Sequence, residues 1–179
     1  YKRQEIGGHH KGKRGKDSEN KQPTLLILST LEDNNYPQYV KLHTLPNYKG
    51  EPIEEYLKEK CLFDPTIVIN CDRDKAFFCL NKLAQLENSV VDYTKENHKL
   101  KWLNTFTGNI QSNINHLYRL VKKRDLPLFL SEQEWRINHR YSGKRIMDKV
   151  KKYISMSTPV TFKQITNSVL AYEKQFLSA

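Results

Sequence analysis

What the chain has little of narrows it first. Its only cysteines are Cys61, Cys71 and Cys79, with no Cys-x-x-Cys pair. That argues against a disulfide framework and a zinc ribbon, and points to a reducing, intracellular compartment, with organelle or nucleus left open. No apolar run approaches the ~20 residues that cross a bilayer, and no stretch reads as a signal peptide. Acid is scarce: 20 Asp and Glu face 30 Lys and Arg, for a formal charge of +10. The excess calls for a polyanionic partner, nucleic acid before an anionic membrane. The 179 residues suit one domain with a real core and contain no internal repeat.

What is present is organised around Thr66 to Phe77, TIVINCDRDKAF. Ile67-Val68-Ile69 reads as a buried strand, because β-branched residues fit a pleated surface. The run stops at Asp72, and helical spacing begins at Lys75 with Ala76, Phe77, Leu80, Leu83 and Ala84. A strand that ends in a carboxylate and turns into a helix sets that carboxylate at the carboxyl edge of a sheet, where ligands bind in open α/β folds. The plainer reading is that Asp72 and Asp74 cap the helix.

Around this centre, Tyr1 to Ile6 predicts an opening strand. His9 to Lys16 (HHKGKRGK) predicts a basic, Gly-rich loop suited to phosphate contact rather than to metal. Thr24 to Leu31 predicts a strand buried on both faces. Gln38 to Leu45 alternates, with Val40 and Leu42 inward and Lys41 and His43 exposed, and Asp33-Asn34-Asn35 makes the turn between the two. A helix follows Pro52 with Ile53, Tyr56, Leu57 and Cys61, and a further strand covers Ser89 to Tyr93. The order is an antiparallel meander followed by βαβ.

Lys95 to Asn109 reads as irregular, anchored by Trp102, Leu103 and Phe106. Ile110 to Arg124 reads as a helix with Asn115 and Lys122 two turns apart on its polar face. Ser131 reads as the N-cap of Glu132 to Tyr141, with Glu134 completing a capping box. After a turn at Ser142-Gly143, Lys144 to Met156 predicts a basic amphipathic helix. Ile146, Val150, Tyr153 and Ile154 face inward there, and Lys144, Arg145, Lys149, Lys151 and Lys152 outward. Thr161 reads as the cap of a last helix carrying Ile165, Val169, Leu170 and Phe176.

Four stretches in this order resemble the catalytic domain of Merlin-type insertion-sequence transposases, the ISXO2-like DDE enzymes. Glu5-Ile6-Gly7-Gly8 with KGKRGK and Lys21 matches the family's opening strand and basic loop. Asp72 to Phe77 matches its second acidic motif, an Asp followed five residues later by an aromatic. Ser112 to Lys123 matches the helix with the third catalytic residue and a Lys seven residues beyond. Leu130 to Arg140 matches its closing helix, ending in Arg-x-Asn-x-Arg as Arg136, Asn138 and Arg140.

The resemblance implies a single RNase H-like domain over 1–179: a mixed sheet of about five strands with helices on both faces. Its parts would be an opening strand at 1–8, a basic loop at 9–22, sheet and two helices at 23–94, the third-motif helix at 110–124 and closing helices at 131–179. It implies Mg²⁺-dependent phosphoryl transfer on DNA by Asp72, Asn115 and Lys122, with Asp72 and Asn115 as metal ligands if the domain is active. It implies nucleic-acid contacts through Lys11, Lys13, Arg14, Lys16, Lys122, Lys123, Arg136 and Arg140.

Two departures shift the reading. The family's first catalytic Asp is Lys2 here, and its third position, usually Glu, is Asn115. Two-metal chemistry needs carboxylates, and Glu5 points to the opposite strand face from residue 2. Two readings stand: a transposase-derived DNA- or RNA-binding domain degenerate for strand cleavage, and a domesticated structural subunit that binds RNA or protein in a larger assembly. Neither calls for a membrane.

Overall fold

A computed structural model of the chain describes residues 2–6, 22–30, 36–60, 67–72, 74–88, 100–116, 121–141, 143, 145–161, 163–165 and 167. Strand β1 (Lys2–Ile6) pairs antiparallel with β2 (Gln22–Thr30), which pairs antiparallel with β3 (Pro37–Thr44). The register sets Leu26 opposite both Lys2 and Leu42. A second, parallel ladder joins β4 (Val68–Cys71) to β5 (Gln85–Asn88), with Ile69 opposite Leu86 and Cys71 opposite Asn88. The chain is a mixed α/β protein. Among the described residues its ladders form two small sheets rather than the single mixed sheet the pattern predicts.

Strand β2 is apolar from Leu25 to Leu28 because both of its faces are covered there. Leu26 joins Val40 and Leu42 of β3 in one core with α2 (Lys101–His116) and α3 (Leu126–Asn138), through Leu103, Phe106, Ile110, Ile114, Leu126 and Leu130. Leu25 turns the other way, into a second core with α1 (Gly50–Lys60), β4 and the segment between β4 and β5. That core holds Ile53, Tyr56, Leu57, Ile69, Cys71, Phe77 and Leu80. Each fully buried Leu, Ile or Phe contributes on the order of 2 kcal/mol. The two cores therefore clamp β2 from both sides.

The first residue of helix α1, Gly50, is a glycine for a steric reason. A Cβ there would lie 2.8 Å from the Ala76 carbonyl oxygen and 3.1 Å from Cys79 Sγ. The Cys79 thiol donates to the Gly50 carbonyl at 3.3 Å and to that of Ala76 at 3.2 Å. Glu51 in the first turn and Lys58 and Lys60 in the last complement the helix dipole.

Several elements differ from the sequence expectation. The central strand is Val68–Cys71 and alternates: Ile67 and Val68 are exposed, Ile69 and Cys71 buried. The turn after it is a 3-10 helix, Lys75–Lys82, not an α-helix. Phe77, Leu80 and Leu83 recur every third residue, which stacks them on one edge at three residues per turn. The next strand comes at Gln85–Asn88, while Ser89 to Tyr93 lie outside the described residues.

Helix α2 begins at Lys101, nine residues before the expected Ile110. Leu103, Phe106, Thr107, Ile110 and Ile114 form one buried stripe at three-to-four spacing through what looked irregular. Lys122 is extended (φ −72°, ψ 148°), at the head of a separate 3-10 turn, Lys123–Asp125. It does not continue the line of Asn115.

Helix α3 begins at Leu126, with a proline in its first turn where that residue is tolerated. Ser131 is therefore inside it, and its hydroxyl donates back to the Pro127 carbonyl at 2.9 Å instead of capping. Gly143 turns the chain at φ 47° into α4 (Arg145–Met156). No residue of α4 is buried, so Tyr153 and Ile154 do not face inward.

Candidate functional site

Asp72 directly follows β4, and the parallel partner β5 ends opposite Cys71, so Asp72 stands at the carboxyl end of both strands. Its Oδ1 accepts the Asp74 N–H at 3.3 Å. Asp74 Oδ1 in turn accepts the Ala76 N–H at 3.0 Å, and the Asp74 carbonyl accepts from Phe77 N–H at 3.0 Å. The two carboxylates thus carry the chain from strand into 3-10 helix, as the capping reading of this motif requires.

The other expected catalytic positions sit on different elements. Asn115 is exposed in the last turn of α2, and Lys122 is exposed on the extended segment beyond it. Lys2 lies in β1 opposite Leu26, and among the described residues no ladder joins β1 to β4.

A divalent-cation centre needs several oxygen donors converging on one point. Asp72 and Asn115 offer one carboxylate and one amide, and an ammonium at residue 2 offers only donors. Among the described residues no three His, Cys, Asp or Glu side chains are grouped to hold a metal. Among the described residues, these donors alone do not make a two-metal centre.

Neither described cysteine, Cys71 or Cys79, is an activated thiol. Burial pushes the Cys71 thiol up, and burial with the nearby Glu54 carboxylate does the same for Cys79. A raised thiol pKa leaves little thiolate at neutral pH. Cys61 lies outside the described residues.

His43 is a correction. It is buried, its ring stacked on Tyr56 at 3.9 Å and 12°. Burial, with Lys41 and Lys60 adding to it against an opposing pull from Glu59, pushes its pKa down to about 4. The alternation along β3 placed it correctly beside Lys41, but α1 covers the strand at that point.

The expected nucleic-acid contacts divide three ways. Lys11, Lys13, Arg14 and Lys16 lie outside the described residues. Lys122 and Lys123 are exposed. Arg136 is exposed and pairs with Glu132 one turn back at 2.7 Å, a surface pair of small energetic weight. Arg140 is turned into the protein. Its guanidinium donates to the carbonyls of Pro37 and Gln38, and lies 4.5 Å from the Tyr141 ring centroid and 5.8 Å from that of Phe106.

Arg140 belongs to a clasp that sequence reasoning missed. Asn138 Oδ1 accepts the Val40 N–H at 2.8 Å, and its Nδ2 donates to the Val40 carbonyl at 2.9 Å. Glu134 Oε2 accepts the Leu42 N–H at 3.0 Å while Oε1 pairs with Lys41 Nζ at 2.8 Å. Four helical residues rise about 6 Å and two strand residues about 6.7 Å, so Glu134 and Asn138 match Leu42 and Val40 in step.

Helix α3 thereby satisfies an edge that would otherwise offer itself for strand pairing. The Asn138-x-Arg140 pair is the part of the Arg-x-Asn-x-Arg pattern that faces β3. Behind the clasp, the buried Gln133 accepts from Asn113 Nδ2 at 3.0 Å and ties α3 to α2. The available signal was the Glu-x-x-x-Asn spacing beside an apolar stripe.

Compared with known proteins, the chain matches the family model described as ISXO2-like transposase domain over residues 2–138, from the start of β1 to the last residue of α3. No curated protein and no solved structure matches it.

Proposed function

The chain belongs to the ISXO2-like transposase domain family, and from that membership we propose a transposase-derived domain that binds nucleic acid and has lost metal-dependent strand cleavage. One observation carries the reading: residue 2, which the resemblance aligns with the family's first acidic position, is a lysine, while Asp72, aligned with the second, stands at the end of β4. An ammonium in a two-cation centre repels the ions such chemistry requires. We read the two ladders as parts of one RNase H-like arrangement. In support, Leu25 of β2 and Ile69 of β4 share a core. The partner is DNA, alternatively RNA, held through phosphates by a chain of charge +10.

Duplex binding at 50 and 200 mM salt, beside a strand-cleavage assay with Mn²⁺, tests this. The expected outcome is affinity falling at least about tenfold across that range, as release of several counterions demands, with no cleavage product. Salt-independent binding, or Mn²⁺-dependent cleavage abolished by Asp72→Asn, would overturn the reading. A second reading, a structural subunit of a larger assembly, is favoured by α4, which follows the matched segment and buries none of its residues.

A further inference from the structure

Helix α4 repeats its apolar residues at helical spacing, yet belongs to neither core. Ile146, Val150, Tyr153 and Ile154 stand at i, i+4, i+7 and i+8, with Met147 beside them. Met147, Tyr153, Ile154 and Met156 are 57%, 58%, 68% and 73% exposed, and Ile146 and Val150 are half-buried. The family match ends at Asn138, so α4 lies beyond the segment that defines the domain. A contiguous apolar face in water is a characteristic mark of an interaction site.

The flanks decide what covers it. Arg145, Lys149, Lys151 and Lys152 are exposed on the same helix, with Asp148 its only acid. A second copy would bring two such cationic sets to the ~8–10 Å of packed helices, where like charges repel. An anionic lipid surface would accept the cations, but interfacial helices insert Trp, Phe or Leu, and α4 contains none of the three. Tyr, Met and Arg concentrate at protein interfaces. Anchors at i, i+4 and i+7 are those of a helix seated in a groove.

We propose that α4 docks its Ile146–Val150–Tyr153–Ile154 face into an apolar groove of a partner protein edged by Asp and Glu. The proposal stands apart from nucleic-acid binding, and its test separates the two.

The probe is a designed two-helix hairpin with a Leu-lined groove edged by Glu. Its control is the same hairpin edged by Lys. Both are titrated into the full chain by calorimetry, with sedimentation of the chain alone and flotation with phosphatidylglycerol vesicles alongside. The expected result is binding of the Glu-edged hairpin at least about tenfold tighter than the control. Ile154→Asp should cut that binding at least about tenfold, with duplex affinity and thermal midpoint unchanged because Ile154 is exposed and in neither core. The triple variant K149E/K151E/K152E should reverse the preference between hairpins. Equal binding of both hairpins, binding of neither, insensitivity to Ile154→Asp, an Ile154-dependent dimer, or vesicle binding that outcompetes the hairpin would each overturn the proposal. Loss of duplex binding by wild type with hairpin binding intact would instead count against the nucleic-acid reading.

Discussion

Helices α3 and α4 are of nearly equal length, 13 and 12 residues, and follow one another in the chain. By pattern alone α4 is the better candidate for burial: its apolar residues fall on one side and its cations on the other. The outcome is the reverse. Helix α3 buries Leu126, Leu130 and Gln133 and is fastened to β3 through Glu134, Asn138 and, just past its end, Arg140, while no residue of α4 is fully buried. Periodicity states which side of a helix is apolar. It does not state whether any surface is there to receive that side. What fixes α3 in place is largely polar, because the free edge of a strand offers N–H and C=O groups that apolar side chains cannot satisfy.

The sharpest way to break this contrast is a truncation on each helix. Leu130→Ala should cost about 3 kcal/mol, the usual toll of an unfilled cavity in a core, and Leu130 is 1% exposed. Ile154→Ala should stay within about 0.5 kcal/mol. Urea melts of both variants check this. A loss above about 1.5 kcal/mol for Ile154→Ala would mean that α4 is packed in solution and would erase the difference.

Next in size is the clasp itself. Asn138→Leu removes an acceptor and a donor at once and leaves the Val40 N–H and carbonyl facing an apolar side chain. Each unsatisfied group costs about 1–3 kcal/mol, less where water reaches it, so a net loss of about 2 kcal/mol is expected. Hydrogen exchange gives the specific readout: the Val40 amide should exchange faster in the variant while the Leu25 and Ile27 amides of β2 keep their wild-type order. Unchanged exchange at Val40 would show that α3 is not what protects the edge.

The contrast also shows what was legible in the sequence and why. Strand β2 was readable as a continuous apolar run, and β3 and α1 because their apolar periods of two and 3.6 report burial directly. The small cap at Thr161 was readable as well. Gln164 N–H donates to Thr161 Oγ1 at 3.3 Å and Thr161 N–H to Gln164 Oε1 at 2.7 Å, a reciprocal box.

The start of α2 was hidden because Lys101 and Thr105 occupy its outer face and the half-buried Asn104 dilutes the stripe. The clasp was hidden because its partners are backbone groups ninety or more residues away, which carry no residue identity. At the candidate site the strand-end position of Asp72 was legible, and so was the engagement of its carboxylate by the turn it begins, which the capping reading of Asp72 and Asp74 anticipates.

The smallest expected effect concerns the other side of β3, which α3 does not hold. His43 there stacks on Tyr56 of α1 and is kept neutral, with a pKa of about 4 against an ordinary 6.5. Its folded pKa lies below its unfolded one, so between those values the unfolded chain binds a proton that the folded chain resists. Stability is then fully present above about pH 6.5, falls as pH drops toward 4, and changes no further from this group below that. Partial solvent access discounts the full shift, leaving a loss of about 1–2 kcal/mol. Carboxylates elsewhere also titrate near the lower end, so the informative quantity is a difference. Wild type and His43→Phe, which keeps a flat ring against Tyr56, should be melted at pH 7 and pH 4.5. Wild type should lose about 1 kcal/mol more than the variant over that interval. An equal loss in both would mean that α1 lifts away from β3 before the histidine is asked to ionise, and that this side of the strand is held as loosely as α4.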